Sequence, residues 1–140
     1  MTPKTTTNKN VEINRQWHLI DLSGQTLGRV STKIASLLVG KFKNTFSYHI
    51  DNGDYVVVIN SDKIKVTGKK LKQKIYYHYT GFAGNLKEIS LGELLIKDSR
   101  KVIRNSVYGM IPKNKLRDLR IKRLKIFMGS EHPYTDKFAK

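Results

Sequence analysis

Gly53-Asp54-Tyr55-Val56-Val57-Val58-Ile59-Asn60 decides the fold of this 140-residue chain. Val56 to Ile59 is apolar at every position, without the alternation of a strand that has one wet face. Such a run reads as a strand buried on both faces, the habit of parallel sheets. Parallel neighbours are joined by a crossover, and the residues upstream supply one. Trp17-His18-Leu19-Ile20-Asp21 reads as a short first strand closed by the turn Ser23-Gly24-Gln25. Thr26 is placed to cap a helix. Leu27, Val30, Ile34, Leu37 and Leu38 follow at helical spacing, and Gly40 ends it. Ser31, Thr32, Lys33 and Ser36 fall on the opposite face, which makes this a surface helix with one buried side. Strand, helix and buried strand form a βαβ unit, right-handed in nearly all proteins.

Downstream the signal is shorter and more polar. Lys63 to Val66 reads as a brief strand, Thr67-Gly68 as a turn, and Leu71 to Tyr77 as a second arm. Tyr79 to Asn85 holds two glycines and reads as a loop. Ser90-Leu91-Gly92-Glu93 matches a capping box, in which hydroxyl and carboxylate satisfy the first free amides of a helix. That helix packs through Leu91, Leu94 and Leu95. A second begins after Ser99 and buries Val102, Ile103, Val107 and Met110 before Pro112 stops it. A third, from about Asn114, is expected to turn Leu116 and Leu119 inward and Arg117 and Arg120 outward. Leu124 to Phe127 reads as a final strand.

The composition fits a folded body, with 39% hydrophobic and 27% charged residues. One domain of α/β class is expected, with no internal repeat and no separating linker. It should occupy 15–133, after a flexible arm over 1–14 and before a tail over 134–140. Met1 to Asn14 is rich in Thr, Asn and Lys and lacks the apolar centre of a signal peptide. The absence of cysteine excludes disulfides, thiolate catalysis and thiolate metal sites. The longest apolar run, Tyr55 to Ile59, is far short of the roughly 18 residues that span a bilayer.

Charge is concentrated in two runs. Lys63 to Lys74 carries six lysines and no acid; Lys113 to Lys125 carries seven bases against Asp118, so together they hold +12 of the formal net +16. Positive charge held this densely suits a polyanion, because closely spaced phosphates are neutralised by several cations in register. In the first run the lysines lead directly into Tyr76-Tyr77-His78-Tyr79, pairing phosphate-binding cations with rings that stack on exposed bases. A glycine at the Thr67-Gly68 turn lets backbone approach a phosphate closely.

Other chemistries find less support. Gly24 and Gly28 open a helix, but only three residues separate them and Arg29-Val30 follows, so the Walker pattern is not met. His49, Asp51 and Asp54 lie close together, and a metal-dependent RNA-processing enzyme built on them is the main alternative. Asp51-Asn52-Gly53-Asp54 is also ordinary turn chemistry. A peripheral membrane protein is the third reading, but no helix pairs a basic face with large exposed aromatics.

The motifs also carry a resemblance. Trp17 to Asp21, Thr26-Leu27-Gly28-Arg29, Gly40-Lys41, Gly53 to Asn60 and Val66-Thr67-Gly68-Lys69-Lys70 are similar to the large-subunit ribosomal protein L-thirteen family. Tyr77-His78-Tyr79-Thr80-Gly81-Phe82, Val107 to Asn114 and Glu131-His132-Pro133 continue it in order, over about 15–133. The chain departs from the family at Ala83, Asn85 and Arg117, and beyond Pro133 at Tyr134 and Lys137. The resemblance implies a three-layer α/β/α body on a small, mainly parallel sheet. It implies a non-enzymatic role in the large ribosomal subunit, bound to its rRNA and neighbouring proteins and joining early in assembly. No cofactor, metal, membrane or small-molecule substrate is implied. The place of action the resemblance implies is the ribosome, in bacterial cytoplasm or plastid stroma. Lys41, Lys43, Lys69, Lys70, Lys72, Lys74, Arg117, Arg120 and Arg123 are expected to neutralise phosphate. His49, Tyr76, Tyr77 and His78 are expected at bases or sugars. Thr67, Gly68, Lys113, Asn114 and His132 complete the expected RNA-contacting set.

Overall fold

The structure, a computed structural model, describes residues 13–138. Of the arm expected over 1–14, all but its last two residues lies outside the described residues. The βαβ unit forms as its sequence dictates: β1 (Trp17–Asp21), α1 (Leu27–Val39) and β2 (Tyr55–Ile59). Thr26 is the N-cap of α1 in extended conformation, without a side-chain capping bond. Gly40 ends the helix at φ 78°, a left-handed conformation that suits glycine.

Beyond β2 come α2 (Lys70–Gln73), β3 (Ile75–Tyr79), β4 (Leu86–Ser90), α3 (Leu91–Met110), α4 (Arg117–Lys122) and β5 (Leu124–Ile126). β1, β2 and β5 make a parallel sheet with β2 at its centre. Val56, Val57 and Val58 are fully buried there, which is why the run lacks alternation. On one face Ile20, Val56, Val58 and Leu124 meet Ile34 and Leu38 of α1, Ile103 and Val107 of α3, and Ile121 of α4. On the other face Trp17 stacks on Tyr55, centroids 4.4 Å apart and planes 9° from parallel. Tyr134 and Phe138 lie against the same indole, at 5.2 and 6.4 Å. The three longer helices therefore share one side. The second side is a thin layer, the C-terminal segment with its single 3₁₀ turn at Thr135–Lys137.

Several local expectations change. Lys63 to Val66 is not a strand. Asn60, at φ 55°, leads into a 3₁₀ turn (Ser61–Lys63), and Lys65 then makes an isolated bridge to Thr26. The Leu71 to Tyr77 arm divides into α2 and β3, and β3 pairs antiparallel with β4, which the sequence did not announce. Leu86-Lys87-Glu88-Ile89-Ser90 has little strand propensity of its own; cross-strand pairing supplies the conformation. The capping box is complete: the Ser90 hydroxyl accepts from the Glu93 amide, and Glu93 Oε2 accepts from the Ser90 amide, both at 3.2 Å. The two helices read on either side of Ser99 are continuous except at Asp98, where φ −160° and ψ 92° break the helical path. Ile111 is buried in place of the exposed Met110. The phase of α4 is rotated from the expectation: Leu119 is half exposed and Arg120 is 1% exposed.

Candidate nucleic-acid interface

The first basic run is packed onto the body through Ile64 and Val66, while its lysines face outward. Lys63, Lys65, Lys69, Lys70, Lys72 and Lys74 are all exposed. None forms an ion pair within 4 Å among the described residues. Gly68 carries the turn at φ 68° with open space where a side chain would project, and Thr67 beside it is exposed. α2 is tied down through its end: the Lys74 carbonyl accepts from the Leu91 amide at 2.8 Å.

β3 carries the rings onto two different faces. Tyr76 turns inward against Leu91, Leu94 and Val102. Burial pushes its phenol above the usual value, and the Lys74 ammonium lies 5.4 Å from its ring centroid. Tyr76 thus anchors the hairpin to the body. Tyr77, His78 and Tyr79 are exposed, as is Phe82 in the loop that follows.

The second basic run divides. Lys113, Asn114 and Arg117 line a shallow cleft with Tyr108 and Asp118. Arg117 lies over the Tyr108 ring, 3.6 Å from its centroid, and its Nε donates to the Tyr108 carbonyl at 2.9 Å. Arg120 and Arg123 point the other way, which corrects their assignment to phosphate. Both are almost completely buried, 1% and 6% exposed. Arg123 donates through Nη1 and Nη2 to the two carboxylate oxygens of Asp51 and through Nη2 to the Leu38 carbonyl at 3.1 Å. Arg120 Nε lies 3.5 Å from Asp51 Oδ1, and Arg15 donates to the Asp51 carbonyl at 3.3 Å. Burial pushes the Asp51 carboxyl up, but the hydrogen bond and charge of Arg123, with Arg120 and Arg15, outweigh it and hold it below 3.8.

Two further expected contacts, Lys43 and His132, are engaged within the molecule. Lys43 donates to Asp54 and to the Asn14 carbonyl, so its charge is spent inside the molecule. Asp54 also accepts from the Gln16 amide at 2.9 Å and faces His18 Nε2 at 3.1 Å. Burial raises its pKa, and the bonds from Lys43, the Gln16 amide and His18 lower it further, leaving a net depression. His132 accepts from the Tyr134 amide through Nδ1 at 3.2 Å and packs against Phe127 and Phe138, holding the C-terminal turn. Lys41 and His49 are exposed and retain their expected availability.

The arrangement of His49, Asp51 and Asp54 does not suit metal chemistry. Asp51 is committed to guanidinium groups and Asp54 to Lys43, while His49 faces solvent. Among the described residues no group of three or more His, Asp or Glu is placed to hold a metal ion. Among them, too, no helix is long and apolar enough to cross a membrane.

The sequence reading overlooked one basic surface. Arg100, Lys101 and Arg104 on α3 line a cleft of about 250 Å³ with Asp98, Leu124 and Ile126. Arg100 is paired with Asp98 through Nε at 3.0 Å, while Lys101 and Arg104 are exposed. Arg100 and Lys101 are adjacent in the chain, and one turn of helix brings Arg104 beside them.

Comparison with known proteins gives the family. The family model described as Ribosomal protein L13 matches residues 15–133. A Large ribosomal subunit protein uL13 from Wigglesworthia glossinidia brevipalpis is 52% identical over 124 residues, covering 89% of this chain and 87% of that protein. Its counterpart in Clostridioides difficile (strain 630) is 49% identical over 90% of this chain and 88% of its own length. That of Syntrophomonas wolfei is 49% identical over 94% and 91%. This chain belongs to the ribosomal protein L13 family, a structural and non-enzymatic family of the large ribosomal subunit.

Proposed function

We propose that this protein binds large-subunit ribosomal RNA and joins the subunit early in its assembly, in a bacterial cytoplasm or a plastid stroma. The observation that carries the reading is the first basic run: six exposed lysines, none paired with an acid among the described residues, leading into exposed rings. Lysines held that way are point charges available to phosphate, and the rings beside them offer faces to bases. Lys113, Lys115, Lys122, Lys101 and Arg104 add exposed cations elsewhere on the body. Their spread over several surfaces suits a protein that touches more than one RNA segment, the behaviour expected of an early assembly component. The named relatives are bacterial, which favours a bacterial ribosome over a plastid one.

The test is direct. Purified full-length protein is mixed with protein-free large-subunit rRNA and sedimented at moderate salt, on the order of 0.1 M, where exposed charges still interact over about 10 Å. Co-sedimentation supports RNA binding; its absence overturns it. In ordered reconstitution the protein should bind before most others are added. Binding that requires a late set of proteins would remove the early-assembly part alone.

A further inference from the structure

The β3–β4 hairpin has an outer face that nothing in the described residues covers. Alternation along β3 sends Tyr76 to the body and leaves Ile75, Tyr77 and Tyr79 on the other side. The register pairs those three with Ser90, Glu88 and Leu86, which share that side. Tyr77 is 62% exposed, Tyr79 58% and Leu86 half exposed, while Phe82, at the tip, is 72% exposed. A two-stranded hairpin is marginal in water, yet this one displays its large rings outward and packs its inner face onto the body through Tyr76 and Ile89. Such a surface is built for something other than this molecule's own core.

The charge around it selects the occupant. Lys69, Lys70, Lys72 and Lys74 precede the hairpin and Lys87 lies within it, against one acid on the outer face, Glu88. A partner with flat apolar faces joined by negative charge fits that rim. Double-stranded RNA does not, because its bases are stacked on each other and only backbone and a shallow groove are offered. Unpaired nucleotides fit, since each carries a free π-face on a phosphate chain, and rings two positions apart on a strand can each take one base.

We infer that the outer face of the hairpin is a stacking platform for unpaired RNA bases, with Tyr77 and Tyr79 as its two rings and the α2 lysines holding the adjoining phosphates. This rests on the RNA-binding reading and refines it. Tyr77 and Tyr79 carry the base contact, and Tyr76, which the sequence placed among them, carries the hairpin. Tyr79, Phe82 and Leu86 enter the surface by exposure and register.

The experiment compares two RNA probes with the full-length protein: a stem–loop with an unpaired loop, and a fully paired duplex of equal phosphate number. The stem–loop should bind more tightly. Tyr77→Leu with Tyr79→Leu should weaken stem–loop binding by about tenfold or more, leave duplex binding within about twofold, and preserve the salt dependence set by the lysines. Tyr77→Phe with Tyr79→Phe keeps both rings and should bind as the unaltered protein does. The single Tyr79→Leu, near the free end of the hairpin, gives a smaller loss of the same kind and serves if the double variant is poorly folded. Equal binding of both probes by the unaltered protein, or full stem–loop affinity in the Leu variants, overturns the platform. Either outcome leaves RNA binding itself standing. Failure of the unaltered protein to bind either probe or large-subunit rRNA would remove the reading on which the platform rests. If the Leu variants bind every RNA normally but fail to enter subunits, the face serves a protein neighbour instead, and the inference is wrong.

Discussion

The two basic runs carry the same formal charge and do opposite work. Lys63 to Lys74 keeps every lysine in solvent, while Ile64 and Val66 between them pack onto the body. In Lys113 to Lys125 the two most buried bases, Arg120 and Arg123, close around Asp51 instead. The difference is partly chemical. Guanidinium is planar, holds a carboxylate with two parallel bonds and tolerates burial, whereas ammonium is strongly hydrated and stays outside. A run of lysines is therefore a safer sign of surface charge than a run that includes arginines.

The largest expected effects fall on the inward side of the comparison. A Cβ on Gly53 would sit 1.7 Å from the Leu38 carbonyl oxygen and 2.8 Å from Arg123 Nη2. Gly53→Ala must displace backbone, and thermal melting should show loss of the cooperative transition or a fall beyond that of an ordinary core substitution. Asp51→Asn should cost about 3–5 kcal/mol in urea unfolding, because removing one partner leaves buried charge without its counter-ion. A loss below about 1 kcal/mol would mean that the arginines reach solvent and belong with the lysines after all.

A pH titration sharpens the same point. Both Asp51 and Asp54 have folded pKa values below 3.8, so the unfolded chain binds protons more readily than the folded one. Their contribution is fully present above that value and is lost as pH falls through the folded values. The protein should hold its stability down to about pH 4 and lose it below, and Asp51→Asn should flatten that decline. A decline centred near pH 6 would point to histidine instead.

Smallest in stability, and largest in binding, is Lys69→Glu with Lys70→Glu. Both side chains are exposed and form no ion pair among the described residues, so stability should stay within about 0.5 kcal/mol while incorporation into large subunits falls. Unfolding in this variant would erase the distinction between the runs.

How much of this was legible beforehand follows the same division. The βαβ unit was plain, since Val56 to Ile59 and the spacing of Leu27 to Leu38 are local patterns, and so were the capping box and the free lysines. The phase of α4 was not. Leu116 and Leu119 offered a reasonable apolar stripe, and the carboxylate that turns Arg120 inward comes from Asp51, in a segment before the central strand. β4 was invisible because its conformation comes from β3. The rings of β3 were recognised as a group, but which faced out depended on register with that unseen partner. Arg100, Lys101 and Arg104 escaped notice because they sit within an apolar helical pattern and are fewer than the bases of the two long runs.

One measurement bears most directly on the claim that the first run is the RNA-facing one. The salt dependence of rRNA affinity should have a log–log slope of roughly −4 to −5, as about six neutralised phosphates require at about 0.7 to 0.9 per contact. Replacing Lys63, Lys65, Lys69, Lys70, Lys72 and Lys74 by Gln should make the slope shallower than about −2, with the fold unchanged by circular dichroism. Replacing Lys113, Lys115 and Lys122 should leave the steeper dependence largely in place. A slope that survives loss of the six lysines, or one near zero in the unaltered protein, would contradict the account.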